Sequence, residues 1–491
     1  MATETTQTVR ELQQFIGGEW VDAAEGGAFD DLDPFTGDVV ARVPAARRDD
    51  ARRAVEAASN AFPAWWHAPP AEKQRMFLKA ADVLDSRSEE VGSWLTRETG
   101  SAFGFSMFQL HFVSGLFRQV AGLAYAPIGE VIPSDIGQFA MGLRRPVGVV
   151  GAIAPWNAAL ILSARSIAAP LALGNTVVLK PSELSPYSGG LLWGEIFAEA
   201  GIPPGVLNIV THAPGEAQAI GDELIENPAV RRINFTGSSA TGRKLAEAAG
   251  AQLKRVLLEL GGYNPLIVLA DADVEYAVNA AAFGAFMHQG QICMSARKIL
   301  VERPIADEFA SKLAEKTKGL KAGDPHEHDT VIGPLITESA VDLVRSRVDD
   351  AVQKGAKLLA GGDAVGSCYQ ATLLADVPED SDFAKNETFG PVAAIEVVDS
   401  ADEAVERANA TSYGLSSGII TTDADRGLVL AQQIEAGIVH VNDQPVGDEP
   451  QMPFGGVKDS GFGRFGGTAV VDEFTELRWV TVTRGSHPFP F

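Results

Sequence analysis

The feature that most narrows the folds open to this chain is a hydrophobic pattern that keeps changing its period. Between residues 147 and 259, short apolar runs rich in Val, Ile and Leu alternate with stretches long enough to be helices. The runs are VGVVGAIA at 147–154, TVVLK at 176–180, VLNIV at 206–210, RINFT at 232–236 and RVLLEL at 255–260. Runs apolar on both faces and separated by helices predict parallel strands in a sheet covered on both sides. The segment SGGLLWGEIFAEA is one such helix, closed by Gly201 in a C-cap position. In a doubly wound sheet of this kind the ligand site lies beyond the carboxyl ends of the strands.

A second α/β series follows, with PLIVL at 265–269, KILVE at 298–302, PVAAIEVV at 391–398 and SSGII at 416–420. The paired glycines Gly261-Gly262 mark the boundary between the two series. Residues 128–144 read as a hairpin that interrupts the first series, and ELRWVTVT at 476–483 as a late strand free to pair with it. The expected fold is therefore α/β: a doubly wound dinucleotide-binding domain of residues 1–127 and 145–260, a second α/β catalytic domain of 261–455, and a small β oligomerisation element of 128–144 and 470–491. Edges of that last kind call for a second subunit.

The 40 Lys+Arg against 64 Asp+Glu leave a formal charge of −24, which disfavours nucleic acid and anionic membrane surfaces as partners. The one long stretch poor in charge, residues 147–179, is broken by Pro155, Asn157, Arg165, Pro170 and Asn175, so it reads as a buried strand and helix and no membrane span. The first residues lack the basic start and apolar run of a secretory signal. Two cysteines, Cys293 and Cys368, cannot form a disulfide framework, and a reducing cytoplasm is expected. The run His326-Glu327-His328-Asp329 has no distant partner set and reads as a solvated loop, so no metal is expected.

Several residues carry chemistry. Residues 235–242, FTGSSATG, follow a strand and open a helix, where unpaired N–H groups and the helix dipole favour a phosphate near Gly237 and Ser238; the plain alternative is an N-cap. Lys180, Ser182 and Glu183 end the neighbouring strand, where a ribose would lie. A match to G-x-G-x-x-G at 461–466 lacks the strand before and the βαβ unit after that a dinucleotide fingerprint needs, and reads as a flexible Gly-rich loop. Cys293 sits in a loop with polar flanks, after a helix ending near His288; a free cysteine is otherwise a small buried hydrophobe. Glu259 is a carboxylate in an apolar strand, either a general base raised by burial or a partner of Lys254 or Arg255. Asn157 follows a strand and can donate to an oxyanion or form a turn.

Seven motifs stand in one order along the chain: Pro155-Trp156-Asn157, Lys180-Pro181-Ser182-Glu183, Phe235-Thr236-Gly237-Ser238, Glu259-Leu260-Gly261-Gly262, Gly290-Gln291-Ile292-Cys293, Glu387-Thr388-Phe389-Gly390-Pro391 and Pro453-Phe454-Gly455-Gly456. From about Phe15 to its end the chain resembles the NAD(P)-dependent aldehyde dehydrogenase superfamily. The resemblance implies that Cys293 attacks an aldehyde, that the Asn157 amide and the Cys293 backbone N–H hold the oxyanion, and that Glu259 activates the water that hydrolyses the thioester. It implies that Trp156, Lys180, Ser182, Glu183, Gly237, Ser238, Glu387 and Phe389 hold NAD, with NADP use left open by Lys180 and Ser182. Within the superfamily the chain is most similar to bacterial aromatic aldehyde dehydrogenases of the vanillin, benzaldehyde and salicylaldehyde type. That likeness assigns Ala158, Arg165, Phe286, Met287, Met294 and Phe454 to the substrate pocket, widened where Ala158 replaces a bulky aromatic. It further implies a homodimer or homotetramer. Two alternatives stand beside it. A dicarboxylic semialdehyde dehydrogenase would use Arg165 as a carboxylate clamp, although Met287 occupies the place of its usual second arginine. A catalytically silent binding relative would not need Cys293, Glu259 and Asn157 together.

Overall fold

The computed structural model describes residues 9–486 and 489–491, so the first eight residues of the signal reading and of the 1–127 segment, and residues 487–488 of the 470–491 segment, lie outside the described residues. The chain is an α/β protein with two large sheets. In the first, the strand order is Gly461–Phe462, Arg255–Glu259, Val230–Thr236, Val149–Ile153, Thr176–Lys180, Leu207–Ile209, Gln14–Ile16 and Glu19–Val21. The five strands from 149 to 259 are mutually parallel, as their two-sided burial requires. The order reverses between Val149–Ile153 and Val230–Thr236, and a reversal of this kind opens a crevice at the strands' carboxyl ends. Ala154-Pro155-Trp156-Asn157 leaves one side of that crevice and Gly237-Ser238 the other.

Helices cover both faces. Arg48–His67, Ala217–Glu226 and Ser239–Ala251 bury Val55, Ile220, Leu224 and Leu245 on one side. On the other, Pro70–Ser86, Phe103–Ala121, Ala159–Ala172 and Leu192–Ala200 pack Phe77, Phe117, Trp193 and Phe197 into edge-on aromatic contacts. Gly201 ends the last of these helices in the left-handed region, where a Cβ would be strained.

The second sheet runs Lys357–Ala360, Thr372–Ala375, Val392–Val398, Ala296–Glu302, Asn264–Val268, Ser416–Ile420 and Ile438–Val441, parallel except for its first pair. The hairpin of Gly129–Ile132 and Phe139–Pro146 pairs with Thr475–Val482 in a small antiparallel sheet.

One expectation is overturned here. The glycine-rich stretch at 461–466 is not simply a loop: Gly461–Phe462 pairs antiparallel with Leu258 and Glu259 and forms the edge of the first sheet. Gly461 has a φ of +106°, and a Cβ on it would lie 2.0 Å from the Leu258 carbonyl oxygen. The glycine is there for close backbone approach, which a two-residue strand gives no periodicity to reveal. Among the described residues no helix is long and apolar enough to cross a membrane.

Candidate active site

The crevice and the second sheet meet at Cys293. Its loop is preceded by Val274–Phe286, a helix that stops two residues short of the expected end because His288, Gln289 and Gly290 all take positive φ. Such a run is held only where contacts over-determine it. The Gln289 amide donates to the carbonyls of Gly100 at 3.0 Å and Pro334 at 3.1 Å. The Gln291 side chain accepts from Ile336 N–H at 3.1 Å, and the Asn264 amide donates to the carbonyls of Cys293 at 2.8 Å and Ser295 at 3.0 Å. Gly262 makes the last contact feasible, since a Cβ there would lie 2.3 Å from the Cys293 carbonyl oxygen.

Asn157 is buried and donates through Nδ2 to the Gln291 carbonyl at 2.8 Å, which aims the amide along the cysteine loop and leaves its second N–H for another acceptor. Glu259 is 1% exposed and makes no ion pair with Lys254, whose ammonium donates to the carbonyls of Leu224 and Asn227. Its Oε1 accepts from Gly456 N–H at 3.1 Å, while Oε2 has no hydrogen-bond partner among the described residues. Burial raises its pKa to about 8, against the opposing field of Arg165. Burial, and then the carboxylates of Glu259 and Glu387, push the Cys293 thiol far above its ordinary value.

The residues expected to meet a dinucleotide gather along the crevice. Lys180 is buried, donating to the Pro181 carbonyl at 3.0 Å and to His212 Nε2 at 2.6 Å. His212 Nδ1 lies 3.0 Å from the Ala213 carbonyl and donates to it, so Nε2 is the acceptor that faces Lys180. Burial and that ammonium lower the His212 pKa to about 4, and burial lowers Lys180 to about 8. Ser182 Oγ donates to Glu183 Oε2 at 3.2 Å. Ser238 caps the helix Ser239–Ala251 by accepting from Thr241 N–H, and the Gly237 N–H is engaged by the Glu259 carbonyl at 2.9 Å. Glu387 Oε1 accepts from Gly262 N–H at 3.1 Å, and Phe389 meets Trp156 edge-on at 5.7 Å. A buried cation and a carboxylate at one end, a helix N-terminus in the middle and a carboxylate with an aromatic pair at the other are groups that could hold the ribose, pyrophosphate and nicotinamide riboside of a dinucleotide. Sequence reasoning missed His212, because its strand, Leu207–Ile209, ends three residues before it.

Below Cys293 lies a narrow slot lined by Phe105, Phe108, Asn157, Ala158, Ile161, Leu162, Arg165, Phe283, Met287, Ile292, Met294, Val446, Asp448 and Phe454. It contains every expected pocket residue except Phe286, which is 1% exposed and packs in the core of the second sheet. The difference is one of position along the helix: Phe283, one turn earlier and 49% exposed, reaches the slot, while Phe286 is drawn into the core where the chain leaves the helix at Met287. Arg165 is not a free cation. Its Nη2 lies 2.6 Å from Asp448 Oδ2, with side-chain exposures of 5% and 9%, and its guanidinium stacks 4.2 Å from the Phe454 ring. The slot opens into a vestibule of about 800 Å³ that adds His440, Asp443 and Glu449.

A half-buried thiol beside an amide donor and a high-pKa carboxylate, at the switch point of a dinucleotide-type sheet, defines a class: oxidoreductases that capture a carbonyl on sulfur. The comparisons agree. The model of the aldehyde dehydrogenase family matches residues 20–480. A vanillin dehydrogenase of Pseudomonas fluorescens is 48% identical over 476 residues, covering 97% of this chain and 98% of the relative. A benzaldehyde dehydrogenase [NAD(+)] of Pseudomonas putida is 43% identical, covering 97% of each. The crystal structure of a salicylaldehyde dehydrogenase from Pseudomonas putida, complexed with salicylaldehyde, superposes with a TM-score of 0.96 at 42% identity over 98% of this chain and 100% of that one. The chain belongs to the aldehyde dehydrogenase family, and it is an NAD(P)-dependent enzyme.

With the thiol held high by burial, alkylation of Cys293 by iodoacetamide in the cofactor-free protein is expected to be slow at pH 7 and to accelerate steadily up to pH 10. Peptide mass spectrometry reads it directly; fast labelling independent of pH contradicts the description of the thiol.

Proposed function

We propose that the protein oxidises aromatic aldehydes of the benzaldehyde and vanillin type to carboxylic acids, with NAD as the favoured acceptor. The observation that carries this reading is the slot: its walls are aromatic or aliphatic, Ala158 leaves room beside Asn157, and its one cation is neutralised by Asp448. A flat ring gains from such walls by burial and by stacking. A substrate with a distal carboxylate meets an arginine already paired, and a vestibule carrying Asp443 and Glu449, which disfavours the semialdehyde alternative. The names of the relatives point the same way.

The roles follow from position. Cys293 gives up its thiol proton to solvent as its sulfur bonds to the aldehyde carbon, and the carbonyl oxygen, as it takes up charge, accepts from the second N–H of Asn157 and from the Cys293 backbone N–H. NAD, when bound, supplies the hydride acceptor. Trp156, Lys180, Ser182, Glu183, Gly237, Ser238, Glu387 and Phe389 would hold it. Glu259 then takes a proton from the water that attacks the Cys293 thioester, its partnerless Oε2 being the free base position. Glu183 accepts from a ribose diol but repels a 2′-phosphate, and the Lys180 ammonium that would soften this is engaged by His212. In the same reading residues 1–127 and 145–260 form the cofactor domain and 261–455 the catalytic one. The sheet of 129–146 and 475–482 forms the subunit contact, because Val131, Ile136 and Trp479 are 67%, 78% and 79% exposed. The two free cysteines suit a reducing cytoplasm.

Three outcomes test this. Cys293→Ala is expected to lower kcat by about a thousandfold or more, whereas Glu259→Gln still releases one equivalent of reduced cofactor and then stalls. Because the base must be deprotonated and its pKa is raised to about 8, thioester hydrolysis in the parent slows as pH falls below about 8 and levels above it. Steady turnover by Glu259→Gln removes the assignment of the base.

An aldehyde panel comes second. Benzaldehyde is expected to exceed propanal and succinate semialdehyde in kcat/KM by about tenfold or more, with NAD preferred to NADP, and Ala158→Phe to penalise benzaldehyde most. Succinate semialdehyde as the best substrate overturns the reading. Finally, light scattering at micromolar concentration is expected to give a dimer or tetramer mass, and a monomer mass contradicts the subunit contact.

A further inference from the structure

The Arg165–Asp448 pair is only half used. Nη2 and Oδ2 bond to each other and the Glu449 N–H also faces the Asp448 carboxylate, but Arg165 Nη1 and Asp448 Oδ1 are both shut off from solvent with no close hydrogen-bond partner among the described residues. Leaving one donor and one acceptor unpaired in an apolar slot is costly, most of all on charged groups. The rings of Phe112 at 5.3 Å and Phe454 at 4.2 Å offer the guanidinium only π faces, and they fix its plane. Arg165 and Asp448 both line the slot that holds Cys293.

We propose that Arg165 and Asp448 together read a phenolic hydroxyl on the ring of the aldehyde, Arg165 Nη1 donating to its oxygen and Asp448 Oδ1 accepting its O–H. The inference rests on the aromatic reading above and narrows it to ring-hydroxylated substrates. A hydroxyl is a neutral group that both donates and accepts, and so it completes the pair without disturbing its balance of charge. A methoxy group in the same place satisfies only the arginine. A carboxylate gains the arginine and is repelled by Asp448. An unsubstituted ring leaves both atoms as they are, and sites built for a hydroxyl discriminate strongly against analogues that lack it. The slot measures about 70 Å³, against the roughly 150 Å³ that accommodates benzene in an apolar cavity. Ring entry therefore turns side chains aside, and Phe108 and Phe283, 39% and 49% exposed at the vestibule, are the least enclosed of the rings that line the slot.

The test is a series of kcat and KM values for benzaldehyde, its three hydroxy isomers, their methoxy counterparts, 4-formylbenzoate and propanal, at a pH where the phenols are neutral. It is run on the parent and on Asp448→Asn. One hydroxy isomer is expected to exceed benzaldehyde by about tenfold or more in kcat/KM, mainly through KM, with its methoxy counterpart well below it. In Asp448→Asn the amide oxygen turns to Arg165 and presents its NH₂ to the hydroxyl. The preference is then lost, while 4-formylbenzoate improves because the arginine's charge is no longer balanced. Hydroxy isomers within about twofold of a well-used benzaldehyde overturn the proposal and leave the aromatic reading intact, as does a methoxy counterpart equal to its phenol. If every aromatic aldehyde falls below propanal, it is the aromatic reading that fails. A loss shared equally by all substrates in Asp448→Asn marks the pair as structural and overturns the proposal. The parent series stands alone should that variant fold poorly.

Discussion

The active site depends on one buried charge. Arg297, 1% exposed, sits just past the cysteine loop and donates to the carbonyls of Gly290, Gly390 and, at 3.2 Å, Val392. Among the described residues no carboxylate touches it, so its desolvation is offset by backbone oxygens and by the field of Glu387, and burial lowers its pKa only to about 10. Those carbonyls belong to the two segments that matter: Gly290 leads into Cys293, and Gly390 closes the Glu387-Thr388-Phe389 turn. A guanidinium spreads rigid donors over several acceptors, which an ammonium cannot do in the same plane. The three consecutive positive-φ residues before Gln291 persist because Arg297, Gln289 and Asn264 hold them from different sides.

Glu259 is placed by a similar convergence. Its strand pairs with Val230–Thr236 on one side and with Gly461–Phe462 on the other, its carbonyl accepts from Gly237 N–H, and its carboxylate from Gly456 N–H. One residue thus ties together the helix N-terminus at Ser238, the edge strand returning from the end of the chain and the space beside Cys293. The arrangement puts a carboxylate where burial disfavours its charge, a local conflict of the kind proteins keep at functional sites.

The parallel strands were legible because two-sided burial writes itself as unbroken apolar runs: Thr176–Lys180 and Ser416–Ile420 match the runs to the residue. Asn157, Glu259, Cys293 and the residues proposed to meet the cofactor could be singled out because strand ends and loop positions are local facts. What could not be read is long-range or a matter of packing. Asp448 lies 283 residues from Arg165, and nothing near either announces the pair. The edge strand at Gly461 is too short to carry a period. Phe286 and Phe283 stand one turn apart on nearly one face of the helix, and what separates them, burial of Phe286 where the chain unwinds at Met287, is imposed by tertiary packing and hydrogen bonds.

The same pair also bears on the nucleophile. Arg165 lowers the pKa of Cys293 and of Glu259, and Asp448 raises both, so an unpaired arginine would draw the thiol toward thiolate and the carboxyl toward carboxylate. Thiolate character governs oxidation as well as attack. Burial and the carboxylates of Glu259 and Glu387 keep the resting sulfur protonated, and with it less open to oxidants, and pairing Arg165 with Asp448 offsets a positive charge that would oppose them; in the proposed mechanism the amide of Asn157 meets an oxygen that becomes anionic only once a carbon–sulfur bond forms. Reactivity is tied to the presence of substrate: stabilisation is concentrated on the charge that appears during the reaction, and the charges present at rest are either paired or suppressed by burial.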